Sequence, residues 1–186
     1  MRAMAIAPTP AALPRRAAAL ALDYLVIAAW LVVVVGVGAL ARSAAPDLAA
    51  RVFSDPLAAE AVGFLLLTLP VGLYFALSEA SRSGATWGKR RMGITVAGPR
   101  GEPPSIGRSL LRTALKLLPW ELAHAVIWRF AIPGSAPEAL LDAGLVVVWV
   151  LIGANVVSVL RDASRRTLYD RLSGTRVIST QRTSPR

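Results

Sequence analysis

The chain has 186 residues, 55% of them hydrophobic, with a formal net charge of +10 and a mean hydropathy of +0.54. Its apolar residues occur in long runs rather than in the amphipathic stripes of a soluble core, which is typical of a membrane protein. The basic residues lie between these runs without a nucleic-acid-reading motif, so no nucleic-acid partner is expected, and without cysteine the chain has neither disulfides nor thiolate metal sites.

The first apolar run, residues 17–40, is opened by Arg15 and Arg16 and interrupted by Asp23. As a helix it would be about 36 Å long, enough to cross a hydrocarbon core of about 30 Å. An ionised side chain inside a bilayer costs roughly 3 kcal/mol or more, so Asp23 is expected to face protein or water. Arg16, seven residues earlier, shares the helix face of Asp23. The preceding residues 1–14, rich in Ala and Pro, predict a disordered cytoplasmic tail.

The second apolar run, residues 57–77, predicts a return across the membrane after an outer loop of mixed charge, with a kink at Pro70. The next section, residues 78–116, carries eight Lys and Arg against two Glu. By the positive-inside rule it is cytoplasmic. Within it, residues 93–96 predict a short strand that enters a turn.

Residues 105–118 predict an amphipathic helix, because three basic residues recur every four positions beside an apolar side. These basic residues are Arg108, Arg112 and Lys116. The helix is expected to lie on the inner membrane surface and to end at Pro119. The following residues 120–132 are too few to span a bilayer alone. They form either a kinked crossing over about residues 113–132 or a re-entrant segment. We expect the kinked crossing, because an even number of crossings returns the basic C-terminus to the cytoplasm.

The fourth apolar run, residues 139–160, predicts another span, and the arginine-rich section from Arg161 places the C-terminus in the cytoplasm. Residues 179–186 predict a second disordered cytoplasmic tail. The fold class predicted for residues 15–178 is an all-α membrane bundle of four transmembrane helices, the third short or kinked. An interfacial amphipathic helix and a small cytoplasmic clip, with two short β-strands as an option, complete it.

Two cytoplasmic segments repeat the same residue types at a constant offset of 81 positions. Ser83, Thr86, Arg90, Gly93 and Val96 recur as Ser164, Thr167, Arg171, Gly174 and Val177. Either this is a duplicated helix hairpin with its clip, or it is a coincidence in a chain rich in Arg and Gly. A duplication predicts that residues 93–96 and 174–177 pair as short strands that fasten the two halves together.

Three stretches spread over nearly the whole chain form a recognisable set. They are Arg16 with Asp23, Ser83-Gly-Ala-Thr-Trp-Gly-Lys-Arg-Arg-Met-Gly93, and Leu168-Tyr-Asp-Arg-Leu-Ser-Gly-Thr175. In order and spacing this set resembles the RDD family of bacterial integral membrane proteins, named for one arginine and two aspartates. By this resemblance the eponymous residues fall on Arg16, Asp23 and Asp170. The family's usual Leu-His-Asp near the end is Leu-Tyr-Asp here, so no histidine role carries over to that place.

The resemblance implies a multi-pass protein of the bacterial inner membrane. For the family, transport of unassigned ligands has been suggested, and some members are associated with sodium/proton exchange. The cytoplasmic motif positions are Gly84, Thr86, Gly88, Lys89, Arg90, Gly93, Arg171 and Gly174. Their glycines differ from a phosphate-binding loop in spacing and lack the Ser or Thr after Lys, so turns and close backbone approaches are expected instead.

The candidate ion- or proton-binding residues are Asp23, Glu121 and His124. Asp23 has two interpretations: a buried ion pair that locks the bundle, with Arg16 or with a cytoplasmic basic residue, or a carboxylate that binds a cation or proton. Glu121 and His124 share a helix face, but a di-metal bundle needs a second such motif, so no metal is expected. His124 either relays protons or is satisfied by Glu121 or a backbone carbonyl. No catalytic constellation or cofactor site is recognisable, so the chain is not expected to be an enzyme.

Two functions remain open. The first is transport of a small solute, or exchange of a monovalent cation for protons, through Asp23 with help from Glu121 or His124; four helices enclose little volume, so a homo-oligomer is expected. The second is a non-catalytic membrane scaffold whose basic cytoplasmic face recruits a partner protein or anionic lipid headgroups.

Overall fold

The computed structural model describes residues 9–180 as eight α-helices, one π-helical turn and a two-stranded sheet. The helices are α1 (Leu13–Ala44), α2 (Pro46–Ser54), α3 (Pro56–Gly63), α4 (Leu69–Ala80), α5 (Trp87–Arg91), α6 (Ile106–Ala131), α7 (Glu138–Arg161) and α8 (Leu168–Leu172). The π turn (Phe64–Thr68) joins α3 to α4, and the strands are β1 (Ile94–Ala97) and β2 (Arg176–Ser179).

Part of the segment predicted as a disordered N-terminal tail, residues 1–14, is ordered. The Ala11 N–H donates to the backbone carbonyl of Val177 at 3.0 Å, and α1 already begins at Leu13. The segment is ordered because its backbone hydrogen bonds with the free edge of β2. The first eight and the last six residues, which belong to the two predicted tails, lie outside the described residues.

Three helical segments of the described residues are long and apolar enough to cross a membrane. They are Leu13–Ala44, Pro56–Ala80 and Glu138–Arg161. They contain the predicted spans 17–40, 57–77 and 139–160. The predicted span 113–132 falls within α6, which is long enough at 26 residues but carries five charged side chains along its length. The number of crossings therefore stays a prediction.

The irregularity predicted at Pro70 is present as the π turn that immediately precedes α4. Proline has no N–H, so the carbonyl of Leu66, four residues earlier, loses its usual helical donor. The indole Nε1–H of Trp30 in α1 donates to that carbonyl at 2.8 Å. A neighbouring helix thus satisfies the freed backbone group, as a membrane bundle requires.

The third helix differs from the prediction at Pro119. Proline was expected to end an interfacial helix there, but α6 runs unbroken through Pro119 and packs against both α4 and α7. The predicted basic side of residues 105–118 is not uniformly turned to the surface, because Arg112 is 2% exposed while Arg108 is exposed. The separate interfacial helix is therefore wrong: tertiary contacts with acidic side chains turn this part of α6 inward.

The predicted strand pairing is confirmed, with slightly shifted bounds. β1 and β2 pair antiparallel, and Val96 lies directly opposite Val177. These two residues are equivalent in the repeat, so the pairing has a local two-fold axis between them. The sheet packs on α1 in a small core of Ala11, Ala19, Ile94, Val96 and Val177.

The two repeated segments have the same local structure. We call residues 83–97 clip 1 and residues 164–179 clip 2. In each, a threonine caps a five-residue helix and a glycine with positive φ leads into the strand: Thr86 and Gly93 (φ 61°) in clip 1, Thr167 and Gly174 (φ 65°) in clip 2. The offset of 81 positions therefore marks two copies of one helix-turn-strand unit.

Candidate functional site

Four helix termini and both clips meet at one end of the helices, which we call the clip end. It contains the first turns of α1 and α6 and the last turns of α4 and α7. A cavity of about 210 Å³ opens there, lined by residues of α1, α4, α6, α7 and both clips. Its polar lining includes Arg16, Asp23, Lys89, Arg112 and Lys116.

A chain of buried ion pairs surrounds this cavity. Arg112 of α6 bridges two carboxylates: its Nη1 lies 2.6 Å from Glu79 Oε2, and its Nε lies 2.9 Å from Asp170 Oδ1. Lys89 Nζ lies 2.8 Å from the other oxygen of Glu79, and Arg16 Nη2 lies 3.0 Å from the other oxygen of Asp170. The order Lys89–Glu79–Arg112–Asp170–Arg16 thus joins clip 1, α4, α6, clip 2 and α1.

Glu79 and Asp170, the two carboxylates in this series of ion pairs, are fully buried, so each needs compensating partners. Burial of the Asp170 carboxyl acts to raise its pKa, but the guanidinium groups of Arg112 and Arg16 outweigh burial and hold the pKa below its ordinary value. Asp170 also accepts from the backbone N–H of Thr167 at 3.2 Å, in the capping box of α8. One side chain therefore caps a helix and receives two arginines from elsewhere in the fold.

Asp23 has a different environment from the one predicted. It is 1% exposed, and no basic nitrogen of the described residues lies within 4.0 Å of it, because Arg16 is paired with Asp170 instead. Its carboxylate accepts from Thr86 Oγ1 at 2.6 Å, Tyr74 Oη at 2.7 Å and the Gly88 N–H at 2.8 Å. The predicted ion pair of Asp23 is therefore wrong, and neutral donors join α1 to clip 1 through Thr86 and Gly88 and to α4 through Tyr74.

Gly88 makes this attachment sterically feasible. A Cβ atom built at residue 88 would lie 2.1 Å from the backbone carbonyl oxygen of Ala19 and 2.9 Å from the carboxyl of Asp23. Only glycine allows α5 to approach α1 so closely. The predicted close backbone approach thus falls at this residue.

The other motif residues build the clips. Gly84 has φ +59°, and a Cβ there would lie 2.5 Å from Thr95 Oγ1. Arg90 Nη1 donates to the carbonyl of Ala85 at 3.0 Å, while its side chain, like that of Arg171, is exposed. These contacts are local to each clip, so that of the motif residues only Thr86, Gly88 and Lys89 reach Asp23 or the ion pairs.

Lys116 is the basic residue of the cavity that has no acidic partner among the described residues. No carboxylate of residues 9–180 lies within 4.0 Å of its Nζ, which sits 3.0 Å from the centroid of the Phe75 ring. Lys89 Nζ lies over the same ring at 5.5 Å. Four basic residues and three acidic ones therefore lie in or around the cavity: Arg16, Lys89, Arg112 and Lys116, and Asp23, Glu79 and Asp170.

The structure places the other two candidates away from the clip end. Glu121 accepts a short hydrogen bond from Thr68 Oγ1 of the π turn. His124 Nδ1 lies 3.0 Å from the carbonyl oxygen of Trp120 in its own helix, and its ring packs on that indole at 4.5 Å. Glu121 and His124 do not bond to one another, and His124 is satisfied by a backbone carbonyl. The two residues are not brought together with Asp23.

Three residues of the site were not among the sequence-based candidates: Glu79, Arg112 and Lys116. Glu79 is one of only two acidic residues in a section with eight basic ones, a signal that an ion pair is required. The spacing of Arg112 and Lys116 indicated that both lie on one side of a helix, but not whether that side faces the surface or the protein interior.

The arrangement can hold an anionic group better than it can hold a metal. Among residues 9–180 there is no cluster of three or more His, Asp and Glu side chains that could ligate a metal ion. The carboxylates at the cavity are already engaged by arginine, lysine, hydroxyl or N–H donors, whereas the amino group of Lys116 has no acidic partner within 4.0 Å among the described residues. An anion would complete its interactions.

Comparison with known proteins agrees with the motif resemblance. The sequence model of the RDD family matches residues 10–174, which include both clips' helices, Arg16, Asp23 and Asp170. Searches of curated proteins and of solved structures find no match. With its apolar helices and this match over nearly its whole length, the chain belongs to the RDD family of membrane proteins.

Proposed function

We propose that this protein is a non-catalytic scaffold of the bacterial inner membrane that binds anionic lipid headgroups at its clip end. In this proposal α6 is a fourth crossing, so that the clip end and both termini lie in the cytoplasm. The length of α6 supports a crossing, since 26 residues extend about 39 Å. Its packing against α4 and α7 supports it too, because charged side chains can then face the bundle.

The observation that carries the proposal is the uneven distribution of exposed arginines. Among the described residues, nine exposed arginines lie at the clip end, and two lie at the opposite end beside Asp47 and Asp55. The nine are Arg15, Arg82, Arg90, Arg91, Arg100, Arg108, Arg161, Arg165 and Arg171. Each basic side chain near an anionic leaflet contributes about 1 kcal/mol to binding. The internal acidic residues do not offset these arginines, because they are buried and already paired.

The cavity gives this surface a deeper contact point. Lys116 faces it without an acidic partner, and Arg112 and Arg16 stand on its wall. The cavity is already partly enclosed, so a phosphate oxygen that reached it would contact Lys116 away from bulk water. The exposed arginines would attract the headgroup, and Lys116 would hold it.

The proposal is tested by native mass spectrometry of the detergent-solubilised protein. Phosphatidylglycerol and phosphatidylcholine with identical acyl chains are offered at equal concentration. We expect preferential retention of phosphatidylglycerol, and loss of that preference in the double variant Arg90→Glu/Arg91→Glu, whose residues are exposed in α5.

The matched control is Arg42→Glu/Arg51→Glu, which reverses two exposed arginines at the opposite end. The control should keep the preference. Equal retention of both lipids by the unmodified protein, or equal loss in both double variants, would contradict the proposal.

A second function, exchange of a monovalent cation for protons, is favoured by one observation. Asp23 lines the cavity without a cationic partner within 4.0 Å, beside the hydroxyls of Tyr74 and Thr86. We place it second because donors from clip 1 and α4 hold this carboxylate and four basic residues line the cavity. A pathway through so few helices would also require a homo-oligomer.

Proteoliposomes with an internal pH dye and imposed sodium, lithium or potassium gradients distinguish the two functions. Exchange predicts a cation-dependent pH signal that Asp23→Asn abolishes while the elution volume in size exclusion is unchanged. Scaffolding predicts no signal above empty liposomes.

A further inference from the structure

A second cavity lies beside the π turn, in the middle of the segment Pro56–Ala80. Its volume is about 270 Å³, and it is bounded by the π turn and α4 on one side and by α6 on the other. Its walls are almost entirely apolar, and two of the wall residues, Leu73 and Leu118, are 41% and 44% exposed. The groove therefore opens outward from the bundle, toward the surface that the bilayer covers.

A single acidic side chain enters this apolar groove. Glu121 is half-buried and lines it, and no basic nitrogen of residues 9–180 lies within 4.0 Å of its carboxylate. Glu60 shows the usual arrangement in the same part of the protein, because it is paired with Arg129 at 2.7 Å. Glu121 has only the hydroxyl of Thr68. A carboxylate at membrane depth with one neutral donor lacks a counter-charge.

A second polar group in the groove also lacks a partner. Thr113 lines the groove, is 3% exposed, and its Oγ1 has no hydrogen-bond partner among the described residues. Native structures leave few buried polar atoms unsatisfied, and those that remain often mark a place for a missing group. The π turn adds to this, since π-helical turns recur at functional sites.

The chemistry of the groove limits what can occupy it. Apolar walls favour a hydrophobic body, and the uncompensated Glu121 favours positive charge. A bare metal ion would lose its hydration and find too few oxygen ligands here. An anion would be repelled by Glu121, and the headgroups of the lipids lie at the helix ends rather than at Thr68, the midpoint of the segment.

We propose that the groove between the π turn and α6 binds a lipophilic monovalent cation, such as a hydrophobic ammonium or phosphonium compound. Glu121 supplies the counter-charge, and the leucines of the groove contact the hydrophobic body. The hydroxyl of Thr68 lies beside Glu121 at the polar end of the site, and Thr113 lines the groove about two turns of α6 away. The inference rests on the proposed crossing of α6, which puts Glu121 at membrane depth, but not on headgroup binding at the clip end.

The test is equilibrium dialysis of the full chain in detergent with radiolabelled tetraphenylphosphonium, after subtraction of binding to empty micelles. We expect saturable binding that weakens by about tenfold or more in Glu121→Gln, because the charged partner is lost while the acceptor for Thr68 remains. Tetraphenylborate, which has the same shape and the opposite charge, should show no saturable binding when it is dialysed against the protein in a separate experiment.

Two further variants keep the result decisive. Glu60→Gln removes an acidic side chain outside the groove and should leave binding unchanged. Ala114→Phe places a ring in the groove at an exposed position of α6 without touching Glu121, and should abolish binding even if Glu121→Gln fails to fold. Unchanged binding in Ala114→Phe, equal loss in Glu60→Gln and Glu121→Gln, or saturable binding of tetraphenylborate dialysed alone would overturn the proposal.

Discussion

Clip 1 and clip 2 have the same backbone plan but obtain their carboxylate from different places. In clip 2 the acid is Asp170, three residues after the capping Thr167 in the same short helix. The equivalent position of clip 1 is Lys89, and the acid is supplied by Asp23 of α1. Lys89 turns instead to Glu79 of α4. One exchanged residue type thus changes which helices a clip holds.

This difference shows that the shape of a clip is set by neighbouring residues, whereas its attachment to the helices is set by distant contacts. The threonine cap and the glycine with positive φ build the same unit twice, because these are backbone requirements of a short helix followed by a strand. The residue at the third helical position decides the attachment. In clip 2, the clip's own aspartate pairs with two arginines. In clip 1, the clip binds the aspartate of α1, and its lysine pairs with the glutamate of α4.

The largest effect is expected from Arg112→Met, which removes the cation that clip 2 shares with Glu79. Two fully buried carboxylates would each lose a partner, and removing one member of such a buried pair costs about 3–5 kcal/mol. Thermal unfolding in detergent should show a large decrease in Tm. Arg108→Met, one turn earlier and exposed, should change stability by no more than about 0.5 kcal/mol. Equal losses in both variants would refute the role of the shared arginine.

A smaller effect is expected from Gly88→Ala, which acts on clip 1 only. The added Cβ would meet the Ala19 carbonyl oxygen, so α1 must move away from α5, at a cost of about 1–3 kcal/mol. The equivalent residue of clip 2 is Tyr169, which shows that the requirement belongs to the contact with α1 and not to the clip itself. Unfolding by denaturant measures the loss.

Gly107→Ala serves as the control, because a Cβ there meets nothing within 4 Å and alanine favours the helix. Its stability should be equal or higher. A Gly88→Ala variant as stable as Gly107→Ala would show that α1 and α5 are not held in close contact.

The smallest expected effect is on acid sensitivity. The folded pKa of Asp170 is held below its ordinary value, so its pairing stabilises the fold above the unfolded pKa and the contribution is lost as pH falls through the folded pKa. Arg16→Met removes one of the two guanidinium groups, so the folded pKa rises and stability is lost at a higher pH. Tm measured from neutral pH downward should show this shift.

Arg15→Met removes the neighbouring exposed arginine, which makes no ion pair among the described residues. It should leave the pH dependence of Tm unchanged. The same shift in both variants would mean that net charge, rather than the contact of Arg16 with Asp170, sets the acid sensitivity.

The sequence was informative where a feature depends on neighbouring residues. The spacing of Thr86, Gly93 and Val96 against the second copy left duplication and coincidence open, and the duplication alternative predicted the strand pairing that the structure has, because caps, turns and strands are local. The apolar runs predicted the three long apolar helices for the same reason. RDD membership followed from motifs whose residues build these local units.

Sequence reasoning failed where pairing partners are far apart in the chain. Arg16 and Asp23 share a helix face, but the partner of Arg16 is 154 positions away, and the two partners of Arg112 are 33 and 58 positions away. The period of a helix, about 3.6 residues, does not indicate which distant acidic residue pairs with Arg16 or Arg112. Pro119 misled for a related reason: packing against α4 and α7 keeps α6 continuous although one backbone hydrogen bond is lost.

The pairing of Val96 with Val177 has a consequence for how the chain is assembled. Equivalent residues facing one another across an antiparallel pair are the geometry that two identical strands adopt about a true symmetry axis. The two strands therefore form, within one polypeptide, the kind of seam that two identical strands would form between separate chains. Because both partners are tethered, the seam closes at the high effective concentration of an intramolecular contact and does not depend on how much protein the membrane holds.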